Sequence, residues 1–237
     1  MTLDKKTGFK VADAEIYPRL IVAMQARQKC GKTHQSLTAP GDTAFFNVDV
    51  GLEGVVHKFA DQKIIYQYDV KVPTEKVEAT VEWEAFKIAY YESLADSSIR
   101  TVVWDTETEM WELIRMARFG KVTQVMPLQY GPVNSEYSKM IKSAYDARTN
   151  LILIRKMKNS YINNVMQKEM VPMGYSGVLG LVQVTLELYK DEGMFCMEIV
   201  DCRHDPELDG EVLPGPMCDF KQMAVLIVKG TTVEDWE

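Results

Sequence analysis

The chain has 237 residues, 46% of them hydrophobic and 26% charged, with a net charge of −7. That composition excludes disorder, collagen-like repeats and low-complexity assembly, and the length is enough for a full central sheet with helices around it. The longest apolar runs, residues 151–154 and 224–228, fall far short of the roughly 20 residues a membrane helix needs. Residues 1–10 are polar and charged and read as no signal peptide. Four cysteines, Cys30, Cys196, Cys202 and Cys218, are too few for a disulfide scaffold. These features predict a soluble, intracellular protein.

In chain order, residues 19–24 are a short apolar strand, followed by Gly31-Lys-Thr33 and a helix-compatible segment to residue 38. Residues 39–42 are a turn, and 43–49 a buried strand ending in a carboxylate. Residues 62–72 form another strand, 73–95 a helix, and 99–105 a third apolar strand that also ends in Asp. Residues 107–119 are an amphipathic helix, 120–132 a loop, 134–148 a helix and 151–154 a strand. Beyond that, 178–189 and 194–201 read as an antiparallel hairpin joined at 190–193, and Pro206, Pro214 and Pro216 mark an irregular segment. Strands alternating with helices predict an α/β fold with a mostly parallel central sheet, an antiparallel C-terminal extension and a single domain over residues 1–237.

Charge is unevenly placed. Residues 115–170 hold ten Lys/Arg against three acids, a local +7, which leaves −14 for the remainder. A basic zone on an acidic chain points to a polyanion site; two helices with solvated faces give the same count.

The sharpest motif is Ala26-Arg-Gln-Lys-Cys-Gly-Lys-Thr33, which fits G-x-x-x-x-G-K-[ST] except that Ala26 replaces the first Gly. Such a loop, here Ala26, Lys29, Cys30 and Gly31 with His34 following, wraps backbone N–H groups around phosphates. Lys32 reaches the β/γ-phosphates and the Thr33 hydroxyl holds Mg²⁺. The motif follows an apolar strand and precedes a helix, as it must. The strand ending in Asp105 supplies a second Mg²⁺-side carboxylate. After the strand at 43–49, either Glu53 or Asp49 is placed to act as general base on the attacking water, Glu53 being preferred. Cys196, Cys202, His204 and Cys218 have irregular spacing for zinc, and the three cysteines read better as buried or partly buried thiols. His34 and His57 have no partner readable from sequence, and no G-x-S-x-G nucleophile is present.

Taken together, Gly31-Lys-Thr33, Asn47-Val-Asp-Val-Gly-Leu-Glu-Gly54 and Val102-Val-Trp-Asp-Thr-Glu-Thr-Glu-Met-Trp111 resemble the phage-encoded RecA/RadA-type P-loop ATPases, also described as AAA-type nucleotide-binding domains. The resemblance continues through Tyr130-Gly-Pro-Val-Asn-Ser-Glu-Tyr137, Leu151-Ile-Leu-Ile-Arg-Lys-Met-Lys158, Cys202-Arg-His-Asp-Pro-Glu-Leu208 and Gly230-Thr-Thr-Val-Glu-Asp-Trp236. It implies a RecA-like core that binds and hydrolyses ATP with Mg²⁺ and acts on single-stranded DNA in phage recombination or replication, in the cytoplasm of the infected host. The alternative is a nucleotide-binding structural or regulatory subunit with little turnover. Carried over, Lys32 and Thr33 match the phosphate and Mg²⁺ positions and Asp105 the Walker B acid, while Glu53 falls near the acid that follows the second core strand. Lys156 and Lys158 fall where a homo-oligomer places basic residues near the neighbour's ATP site, and segments 119–133 and 159–175 where DNA-facing loops lie. Tyr130, Tyr137, Tyr161 and Tyr175 are candidates for stacking on bases, with core packing the commoner role for such tyrosines. Ala26, the basic Arg27 and Lys29, and Arg155 in place of a small polar sensor depart from the family pattern.

Overall fold

The computed structural model describes residues 15–122, 124–163 and 165–237. The polar start of the chain, residues 1–10, lies outside them. Ten strands and five helices follow in the order β1 (Ile21–Ala26), α1 (Lys32–Leu37), β2 (Asp42–Asn47), β3 (Ile65–Asp69), α2 (Lys76–Ala95), β4 (Ile99–Asp105), α3 (Glu107–Phe119) and α4 (Tyr130–Ala147). After these come β5 (Asn150–Arg155), β6 (Met157–Ile162), β7 (Val165–Pro172), β8 (Val184–Asp191), β9 (Met194–Cys202), β10 (Val212–Pro214) and α5 (Phe220–Ile227).

Eight strands form one sheet in the order β10-β9-β8-β1-β5-β4-β2-β3, and β6-β7 form a separate hairpin. The six strands from β8 to β3 are mutually parallel, and β9 and β10 extend the sheet antiparallel. The α/β fold with an antiparallel extension expected from sequence is therefore present. β1, β4 and β5 read as near-continuous apolar runs because both sheet faces are covered. Alternate residues divide between two cores. Ile21, Ala23, Val102, Trp104, Leu151 and Leu153 face α2, α3 and α4. Val22, Met24, Val103, Ile152 and Ile154 face α1 and α5.

α2 buries Ala79, Trp83, Phe86 and Tyr90 at helical spacing. These rings meet Phe46, Trp104 and Tyr137 edge-on or stacked, with centroids 5.1 Å apart for Phe46–Phe86, 5.3 Å for Phe86–Trp104 and 6.2 Å for Trp83–Tyr137. Thr106 caps α3 by accepting from the Glu109 N–H, and Asp219 caps α5 by accepting from Lys221 N at 2.9 Å.

Four expectations need correction. Much of segment 159–175 is not a loop but the rest of the β6–β7 hairpin, which turns at Asn163 in the left-handed region. No residue of its two strands is buried, so no alternation of buried and exposed positions marked it. α4 begins at Tyr130, not 134, because Gly131 and Pro132 sit in its first turn, where proline's missing N–H is not needed. The strand expected from 178 starts at Val184, after a 3-10 turn at Ser176–Gly180. The proline-marked C-terminal segment contains β10 and the buried helix α5.

Candidate functional site

Parallel strands place their carboxyl ends along one edge, and chemistry collects there. β1 ends at Ala26. Its side chain is 1% exposed and packs in the core beside α1 and α5, so the methyl that replaces the motif's first glycine lies away from the loop interior. The chain then turns with Lys29 at φ 61° and Gly31 at φ 86°, left-handed values that aim consecutive N–H groups inward as an anion-binding nest. α1 follows at once.

Lys32 curls over this loop and donates to the Ala26 carbonyl at 3.1 Å and the Arg27 carbonyl at 2.9 Å. Burial lowers the Lys32 pKa, with Asp105 the strongest opposing influence. The Thr33 hydroxyl donates to Asp105 Oδ2 at 2.8 Å. Asp105 ends β4 and is 3% exposed. Burial raises its pKa, and the Thr33 hydrogen bond and the Lys32 ammonium pull the other way.

The loop after β2 lies on this pair. A Cβ on Gly51 would stand 2.9 Å from Thr33 Oγ1 and 3.9 Å from Asp105 Oδ2, so only a glycine passes there undisturbed. Asp49, Gly51, Lys32, Thr33 and Asp105 line one cleft of about 650 Å³. Lys29, Cys30 and His34 line it too, His34 being exposed with its ring 5.1 Å from that of Phe59. Glu53 is exposed and is not among the residues lining the cleft. A smaller hollow of about 280 Å³ lies between the β3–α2 connection and α3; there Arg115 is already bonded to Glu112 and Tyr130.

Lys156 follows β5 directly and pairs within its own chain, at 2.6 Å to Glu109 and 3.5 Å to Asp49. Burial works against its charge, but Glu109 and Asp49 outweigh burial and hold its pKa above the usual value. Lys158 is exposed on β6. Of the ten basic residues in 115–170, Arg115, Arg118, Lys121, Arg155 and Lys156 are in ion pairs, largely with acids outside that segment such as Glu75, Glu107 and Glu109. The remaining basic character is carried by Lys139, Lys142, Arg148, Lys158 and Lys168.

Of the four tyrosines, Tyr137 is fully buried, while Tyr130 and Tyr175 stack on Trp111. Tyr161, at the hairpin tip, is 64% exposed. Cys196 and Cys202 are buried, and no cluster of three or more His, Cys, Asp or Glu side chains among the described residues is placed to hold a metal. A Thr hydroxyl with one carboxylate suits Mg²⁺, which takes one or two protein carboxylates and completes its shell with phosphates and water. Thr33 and the buried Asp105 carboxylate supply that donor set, and Gly51 keeps any side chain off them.

Sequence reasoning missed a buried pair where β5 ends and α3 begins. Arg155 Nε lies 3.3 Å from Glu107 Oε2, with both side chains almost fully buried. Glu107 Oε1 also accepts from the Tyr137 hydroxyl at 3.2 Å and from Tyr175 N at 3.2 Å. Burial pushes the Glu107 pKa up to about 7, with Arg155 the main opposing influence. The readable signal was an arginine closing an all-aliphatic strand.

A family model described as an AAA domain matches residues 19–198, a span running from the start of β1 through most of β9. The chain belongs to the AAA-domain family. Membership implies nucleotide binding and hydrolysis, usually with Mg²⁺, and this AAA domain has its phosphate loop, Thr33 and Asp105 in one cleft. Among solved structures, a RadB recombinase is similar over 84% of this chain and 87% of that one, at 14% identity and a TM-score of 0.48. An ATPase from the type III secretion system of pathogenic bacteria is similar over 72% of this chain and 51% of that one, at 10% identity and a TM-score of 0.46. No curated protein matches the sequence. No helix among the described residues of this AAA domain is long and apolar enough to cross a membrane.

Proposed function

We propose that this AAA domain is an ATPase that acts on single-stranded DNA, working as one unit over residues 1–237 in phage recombination or replication, the setting the sequence resemblance implies. The observation that carries the catalytic half is the Thr33–Asp105 hydrogen bond at 2.8 Å beneath the Gly31 turn. Lys32 exchanges two neutral carbonyl acceptors for the charged β/γ-phosphates, a stronger pairing. Thr33 and Asp105 hold Mg²⁺, which when bound neutralises charge on the phosphate oxygens. Asp49 is the carboxylate that orients the attacking water and accepts its proton, because it lines the cleft.

The DNA half rests on the β6–β7 hairpin, which exposes Tyr161 on one strand and Lys168 on the other. Lysines meet phosphates and an aromatic face meets unpaired bases. In an ATP-dependent homo-oligomer Lys158 is the residue free to face a neighbour, Lys156 being engaged in its own chain. The test is ATP hydrolysis measured with and without single-stranded DNA, at low and moderate salt. Stimulation that fades with salt is expected; turnover indifferent to DNA at low salt would remove the DNA half.

A further inference from the structure

The cleft extends beyond the phosphates. β1 has β8 on one side and β5, then β4 and β2, on the other. Asp105 and Asp49 lie at the ends of β4 and β2, so the Mg²⁺ and water side of the phosphate loop is fixed. The cleft also runs the other way, toward β8 and β9, where Leu188, Phe195, Gly215 and Cys218 line it. A triphosphate with its γ end beside Asp105 therefore has its nucleoside at this second end.

Phe195, near the start of β9, is 42% exposed, a large ring left open to solvent. It lies against the phosphate loop itself: a Cβ on Gly31 would stand 3.1 Å from the ring. The Lys190 ammonium sits 4.6 Å from the ring centre. Around it, Leu188 and Gly215 give apolar and thin walls. The Cys218 thiol stays protonated, its pKa pushed up to about 11 by burial.

We propose that Phe195 is the platform on which the base of a bound nucleoside triphosphate stacks, so that the base is held by its face and not read by its edges. The inference rests on the nucleotide-binding reading above and adds the ligand class: nucleoside triphosphates without regard to base, adenine and guanine alike. Stacking tolerates any base because every base has a π face.

The test is calorimetric titration of the full chain with Mg-ATP, Mg-GTP and inorganic tripolyphosphate, comparing wild type with Phe195→Leu and Phe195→Tyr. Leucine keeps the apolar contact with Gly31 but has no π face. Phe195→Leu is expected to weaken both nucleotides about tenfold and to leave tripolyphosphate within about twofold. Phe195→Tyr should bind all three as wild type does, which also covers a leucine variant that fails to fold. Equal losses for nucleotide and tripolyphosphate, or no loss for either, overturn the stacking role and leave the phosphate site standing. A wild-type chain that binds neither nucleotide nor tripolyphosphate overturns the phosphate-site reading, and the stacking role falls with it.

Discussion

Replacing Gly51 by alanine tests the site's geometry without touching any functional group. The new Cβ would stand 2.9 Å from Thr33 Oγ1, where ordinary contact begins at 3.4 Å, so atoms must part by roughly 0.5 Å. Thr33 has little room to retreat, since its hydroxyl is bonded at 2.8 Å to Asp105, and that carboxylate is buried. The strain therefore falls on the Thr33–Asp105 pair. A 1 Å misplacement costs about 10²-fold in rate, so half of it predicts a loss on the order of tenfold in kcat. Stability should not rise: alanine stabilises by about 0.4–1 kcal/mol through the unfolded chain only where it fits without strain, and although Gly51 has no left-handed φ the overlap with Thr33 offsets that gain. Gly54→Ala is the control, because a Cβ there meets nothing within 4 Å. Steady-state ATPase assays across a Mg²⁺ titration, with thermal melts of both variants, make the comparison. If Gly51→Ala and Gly54→Ala have the same kcat and the same Mg²⁺ dependence, the packing of this loop on the Mg²⁺ side of the cleft is refuted.

Three further outcomes follow from the same contacts. Glu107 titrates up to about 7 in the folded chain against 4.5 as its ordinary value, so its contribution is full below pH 4.5 and lost as pH rises to 7. Urea unfolding of wild type and Glu107→Gln at pH 5 and pH 7.5 should show wild type losing about 2 kcal/mol relative to the variant, and a constant difference would contradict it. Lys156→Ala should lower DNA-stimulated turnover several-fold while costing less than about 1 kcal/mol of stability, because the pair is partly exposed; a large drop in melting temperature would mark it as structural. Tyr161→Ala should leave the melt unchanged and weaken single-stranded DNA several-fold by fluorescence anisotropy, and unaltered affinity would remove Tyr161 from the DNA surface.

The turn at Gly31 and the cleft position of Lys32 and Thr33 were legible because they are local: the three residues are consecutive and follow an apolar strand. Asp105 was legible for the same reason, as the end of Thr101-Val-Val-Trp. What escaped were properties of pairs distant in sequence. The charge count for 115–170 could not register that Glu75 meets Lys121 or that Glu109 meets Lys156. The hairpin at 157–172 was invisible because none of its described residues is buried, and α5 because the three prolines ahead of it looked like uninterrupted loop. Choosing between Asp49 and Glu53 needs the direction of a loop, which no spacing encodes; the structure puts Asp49 on the cleft wall and leaves Glu53 outside it.

One ammonium, that of Lys156, is divided between Asp49 in the cleft and Glu109 on α3, and the next residue begins the hairpin. A ligand that draws Asp49 away leaves Lys156 to Glu109 alone, at the residue before the hairpin begins. On the proposed reading, in which the hairpin holds DNA and the cleft holds nucleotide, thermodynamic linkage through this contact must run in both directions: whatever factor DNA adds to nucleotide affinity, nucleotide adds to DNA affinity. A titration of either ligand in the presence of the other measures that factor.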